Sequence, residues 1–258
     1  MTDHEAGRPA RTAEMPILEH LEELRWRIIK ILAALIIAAV ACYFFTDTLF
    51  LWVRWPLDMA TPPGQKINLN YLRIGDSFTV RIKLAFLAAV FVTIPIIVYQ
   101  IWRFVMPGLY EHERRAVMPL VFWSSLLFLT GAAICFFWVM PITIRFLLEI
   151  APENVAPVLT VNDYINFIMW TTVSFGAVFQ LPLVALFLGR LGLVNWKLLA
   201  KGRRYAIVII AGVAAVITPS TDAISMVMLA LPLYTLYEVS IWLLRFRARR
   251  EAESRLAG

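Results

Sequence analysis

The chain has 258 residues, 60% of them hydrophobic and only 16% charged, with a mean hydropathy of +0.73. Ordinary soluble domains carry about 25% charged residues, and a domain of this size has too little interior to hide so much apolar surface, so a soluble globular protein is excluded. The net charge of +6 sits on the flanks of apolar runs, where it marks membrane orientation rather than nucleic-acid binding.

The first fifteen residues are polar, and Pro16 suits the first turn of a helix. No removable signal peptide is expected, because the first apolar run is long and lacks an A-x-A-like exit. "ILEHLEELRWRIIKIL", Ile17–Leu32, opens that run. On a helix, Leu18, Leu21, Leu24 or Arg25, and Ile28 form one apolar stripe. Glu19 and Glu23 share a face; Glu23 is also placed to pair with Arg27, and Glu22 with Arg25. Two readings stand: a solvated helix whose charges neutralise each other, or carboxylates awaiting a cation from another molecule.

Six apolar segments follow in order: Ile28–Phe45, Ile82–Tyr99, Ala116–Ile144, Tyr164–Gly189, Tyr205–Ile217 and Ala223–Leu244. Of the basic residues, eighteen flank one side and six the other, so the positive-inside rule puts both termini in the cytoplasm. The first outer loop, Thr46–Arg81, is long and contains the turn signal "TPPGQ"; the second, Arg145–Asn162, carries "APENVAP"; the third is "TPSTD". The fifth span, thirteen residues, and the apolar part of the sixth, fifteen residues before Glu238, are short. Thirteen residues span about 20 Å against about 30 Å of hydrocarbon. Either the bilayer thins beside them, or Arg203 and Arg204 snorkel to cover the shortfall. Pro95, Pro119, Pro141, Pro182 and Pro232 are expected to kink their spans. The expected architecture is an all-α integral membrane protein of six transmembrane helices, several kinked by proline, the last two short, N-in and C-in. Residues 1–15 form a polar cytoplasmic tail, 16–244 the membrane domain and 245–258 a basic cytoplasmic tail.

"YQIWRFVMPGLYEHERRAV", Tyr99–Val117, lies on the same side as the opening helix and carries Glu111 and Glu113 among aromatic residues. Two such carboxylate-bearing segments facing one another suit guanidinium groups, whose bidentate geometry lysine does not copy. Within the spans, Gln180 either contacts a partner or signal helix or makes an internal helix–helix hydrogen bond. Glu238 has either a functional role or a nearby arginine partner, and Asp222 a functional role or that of a helix cap. Pro56 marks a turn or a partner contact. Cys42 and Cys135 read as small buried hydrophobes, and His4, His20 and His112 are too scattered to suggest a metal cluster. No span holds a histidine and "HERR" is not a zinc motif, which argues against an intramembrane protease. A small-solute secondary transporter is the alternative, though the spans offer no ion-pair relay.

"HLEELRWR" (His20–Arg27), "PIIVYQIWRFVMPGLYEHERR" (Pro95–Arg115), "SFGAVFQLP" (Ser174–Pro182) and "ITPSTDAIS" with "LPLYTLYE" (Ile217–Ser225, Leu231–Glu238) resemble, in order, the motifs of the TatC family. This family supplies the polytopic subunit of the twin-arginine protein translocase, and the resemblance covers about Pro16 to Trp242. It implies recognition of twin-arginine signal peptides and transport of folded proteins across the bacterial inner membrane, driven by the proton-motive force. It implies single-span A and B subunits as partners, with membrane lipids and further copies of the chain, no nucleic acid, no cofactor and no enzymatic step. Glu23 and Glu113 match the carboxylates that read the arginine pair, and Phe104, Leu109 and Tyr110 the loop that shapes the site. Glu19, His20 and Arg25 beside Glu23 complete the expected signal-peptide set. Gln180, Thr218, Asp222, Met226, Glu238 and Pro56 form the expected intramembrane or partner-contact set.

Three departures stand out. Gln180 replaces a frequent glutamate, and an amide does not titrate. Ser220–Thr221 replace one proline of the usual TPPD, with Met226 where a glutamine is usual. Gly75–Asp76 replace proline–glutamate before Phe78.

Overall fold

The computed structural model describes residues 17–62, 67–105, 117–150, 158–217 and 223–256. Among the described residues, four segments are long and apolar enough to cross a membrane: Glu19–Tyr43, Asp76–Val105, Met118–Glu149 and Val161–Arg190. These correspond to helix α1 (Ile17–Tyr43), α3 (Asp76–Val105), the pair α4 (Val117–Ile134) and α5 (Met140–Glu149), and the pair α6 (Val161–Val178) and α7 (Leu181–Arg190). With α9 (Arg203–Ile217) and α10 (Ala223–Leu256) they make six helical spans. α1 packs chiefly on α3. Its Ile36, Ile37 and Val40 are exposed, as a lipid-facing span requires. The core lies between the other spans, around the fully buried Leu84, Met140, Ile165, Phe175 and Leu233.

The prolines divide into two groups. A proline lacks an N–H, and its ring presses on the carbonyl four residues back. Ahead of Pro141 the helix widens into a π-helical turn, Cys135–Val139, before α5 resumes. Ahead of Pro182 it breaks: the Gln180 N–H bonds the Ala177 carbonyl at 3.0 Å, and α7 starts anew. Pro95 and Pro232 lie inside continuous helices, and Pro119 is in the first turn of α4. Glycines allow α4 and α6 to approach closely. A Cβ at Gly131 would fall 2.4 Å from the Phe179 ring, and one at Gly176 2.7 Å from the Phe128 ring.

The long first outer loop is not simply loop. Thr46–Ala60 forms helix α2, amphipathic, with Val53, Pro56, Leu57 and Ala60 buried and Leu51 and Trp52 exposed. Pro56 is thus a buried helical residue and not a turn. The Tyr164 hydroxyl donates to the Val53 carbonyl at 2.7 Å, and Arg81 donates to Thr46 and Asp47, so α2 is tied to α6 and α3. A two-residue parallel ladder, β1 (Leu69–Asn70) with β2 (Leu159–Thr160), joins the first and second outer connections. Asp76 accepts from the backbone N–H groups of Leu72 and Arg73, closing the turn that starts α3. Part of "TPPGQ", all of "APENVAP" and the "TPSTD" connection lie outside the described residues.

At the other end, α8 (Trp196–Lys201) precedes α9. α9 has fifteen residues, about 22 Å at 1.5 Å each, so the fifth span is short as expected. The sixth is short only in its apolar part, because α10 runs unbroken for 34 residues to Leu256. The basic segment expected as a separate tail is therefore helical through Leu256. Arg247 donates to the Leu186 carbonyl at 3.3 Å, and the Arg245 guanidinium lies over the Trp196 ring at 5.4 Å.

Candidate signal-peptide site

The first turns of α1 and the last turn of α3 meet where α1 lies along α3. Gln100 and Phe104 are four residues apart and share one face of α3. Arg27 reaches that face from α1 and is buried, 8% exposed. Its Nη1 donates to Gln100 Oε1 at 3.4 Å. Its Nε donates to Glu23 Oε1 at 3.2 Å, and its Nη2 bonds the same oxygen. The arginine thus uses one carboxylate oxygen only. The other, Oε2, faces His20 Nδ1 at 3.8 Å. The His20 ring stacks on Phe104, with centroids 4.3 Å apart and planes 12° apart. Glu23 is partly open, its side chain 29% exposed.

The fold therefore brings Glu23, His20 and Phe104 together, and adds Arg27 and Gln100. Glu19 and Arg25 are exposed, and among the described residues neither forms an ion pair, nor does Glu22 with Arg25. Leu109, Tyr110, Glu111 and Glu113 lie outside the described residues. Sequence reasoning missed Gln100. The available signal was its i, i+4 spacing to Phe104 on the face that meets α1.

Gln180 makes an internal helix–helix hydrogen bond. Its Nε2 donates to the Ser124 carbonyl at 2.9 Å, across from α6–α7 to α4. The Ser124 hydroxyl accepts from Trp102 Nε1 at 2.8 Å, and Trp102 meets the Phe187 ring edge-on. Ser124 therefore links three spans, a role that no sequence motif announced. Glu238 is also bonded within the chain. Arg203 Nε donates to Oε1 at 2.7 Å and Nη2 to Oε2 at 2.8 Å, and the Tyr234 hydroxyl donates to Oε1 at 2.9 Å. Met226 packs partly buried against the chain's own core. Thr218 and Asp222 lie outside the described residues.

A family model described as "Sec-independent protein translocase protein (TatC)" matches residues 19–232. The chain is 34% identical over 245 residues to "Sec-independent protein translocase protein TatCy" of Bacillus subtilis, covering 95% of this chain and 94% of that one. It is 35% identical over 241 residues to "Sec-independent protein translocase protein TatC" of Aquifex aeolicus, covering 93% and 98%. A crystal structure titled "Twin Arginine Translocase Receptor- TatC" superposes with a TM-score of 0.79 at 35% identity, covering 88% of this chain and 98% of that one.

Proposed function

We propose, for a chain that belongs to the TatC family of Sec-independent protein translocase proteins, that Glu23 is a receptor carboxylate for signal-peptide arginines. The chain is a multi-pass membrane subunit of the twin-arginine translocase, and its role is transport. The observation that carries the receptor reading is the guanidinium already seated on Glu23 beside an aromatic face. The same carboxylate keeps a second oxygen directed away from that guanidinium, toward a partly exposed imidazole. A planar cation with several donors suits such a carboxylate–aromatic corner better than the compact ammonium of lysine.

In this reading Glu113, with Leu109 and Tyr110 from the following loop, supplies the second carboxylate and the wall of the site. Both termini lie in the cytoplasm, in the inner membrane of a bacterium, so that the site faces newly made precursors. Single-span A and B subunits and further copies of the chain complete the translocase, and the proton-motive force drives passage. The short α9 favours a thinned bilayer at the passage. Gln180 and Glu238 are structural here, since the chain's own groups bind both. A solute transporter gains no support from them: neither is left as an open site near the midplane.

The test is binding of arginine-pair and lysine-pair signal peptides to the purified chain in detergent. The arginine peptide is expected to bind tighter, and Glu23→Gln and Glu113→Gln are each expected to remove the difference. Equal binding of both peptides, unchanged by either substitution, would refute the assignment.

A further inference from the structure

We infer that His20 is a built-in placeholder for the incoming guanidinium, occupying its position on Phe104 and against Glu23 until a peptide displaces it. The inference rests on the receptor reading of Glu23 and specifies what the empty site contains.

Three observations combine. The His20 ring lies flat on Phe104, at 4.3 Å and 12°, as a planar cation lies on an aromatic face. Its Nδ1 faces Glu23 Oε2 at 3.8 Å, beyond hydrogen-bond length, so the imidazole fills the corner without a close bond to the carboxylate. The other carboxylate oxygen already accepts from two Arg27 nitrogens, and Arg27 is buried and further anchored to Gln100. An arriving arginine thus has one oxygen of Glu23 to bind, and one aromatic face to lie on, and His20 covers both. Arg27 cannot leave cheaply, because its departure would strip a buried guanidinium of both partners. His20, with its side chain 44% exposed, can swing into water. A guanidinium replacing it would gain charge-assisted hydrogen bonds to Oε2 that the imidazole does not make. A lysine ammonium would gain the charge but not the flat contact with Phe104.

The placeholder makes a prediction opposite in sign to that for a residue that grips the peptide. In His20→Ala the corner stands empty, so the arginine peptide is expected to bind about two- to fivefold tighter than to the wild-type chain. His20→Phe keeps a ring on Phe104 and is expected to bind no tighter than wild type. A second readout uses the wild-type chain with ring-labelled histidine. The His20 signal, identified by its loss in His20→Ala, is expected to be shielded by Phe104 and to lose that shielding when arginine peptide, but not lysine peptide, is added.

Failure separates cleanly. If arginine binding does not depend on Glu23, the receptor reading falls and the placeholder falls with it. If Glu23 dependence holds but His20→Ala binds equally or more weakly, or the His20 signal keeps its shielding in the complex, only the placeholder is overturned.

Discussion

Two carboxylates, Glu23 and Glu238, each hold an arginine at the same end of the bundle, and their pairs are built differently. Glu238 has both oxygens engaged by Arg203 and one also by Tyr234. Arg203 opens α9 and Glu238 is within α10, so the bidentate pair ties two spans together. Glu23 gives one oxygen to Arg27 of its own helix and, among the described residues, leaves the other facing only His20. A carboxylate whose acceptor sites are filled by the fold serves the fold. One with an oxygen left over, beside an aromatic ring at a partly open surface, retains capacity for a ligand.

Breaking the open pair should have the largest effect. Glu23→Gln keeps the shape and removes the charge, and the arginine-over-lysine preference in peptide binding is expected to fall by about tenfold or more, the usual scale for losing a charge-assisted pair. Glu238→Gln should give the complementary result. Peptide preference is expected to stay at its wild-type value while the melting temperature in detergent drops, because only the tie between α9 and α10 is weakened. If the preference also collapses, the contrast between the two pairs is wrong.

Gln180 sharpens the comparison from inside the membrane. Its amide donates to the Ser124 carbonyl, which a carboxylate can do only while protonated. Gln180→Glu should therefore fold normally at low pH and lose stability as pH rises and the carboxyl ionises, by about 1–3 kcal/mol for a partly buried group left without its bond. Melting curves across pH would show this slope, and a flat profile would indicate that the Ser124 bond contributes little. The smallest effect is expected for Trp102→Phe. It removes the bond to the Ser124 hydroxyl and trims the buried ring that meets Phe187, costing about 1–2 kcal/mol of stability, with peptide preference unchanged.

The spans were legible because long apolar runs have few alternatives once burial in lipid is required. The motifs singled out Glu23, His20 and Phe104, and the fold brings these three together. Gln100 was not singled out, because a glutamine in a helix carries no signal until a buried arginine is seen to need it. α2 was hidden inside a segment whose Pro56, Pro62, Pro63 and Gly64 pointed to turns. Its helix is stabilised by burying Val53, Leu57 and Ala60 on neighbouring spans, which local propensity does not register.

By itself, the sequence determined the membrane class, the six spans, the short fifth helix and the family, since each depends on composition and local order along the chain. The tertiary structure alone decided which polar groups remain available. Gln180 and Glu238 looked as functional as Glu23 in one dimension. The fold gave the first a carbonyl and the second a bidentate arginine, and left one oxygen of Glu23 opposite an imidazole. Hydrogen-bond capacity is short-ranged, so whether it is used up depends on neighbours that only the folded chain brings together.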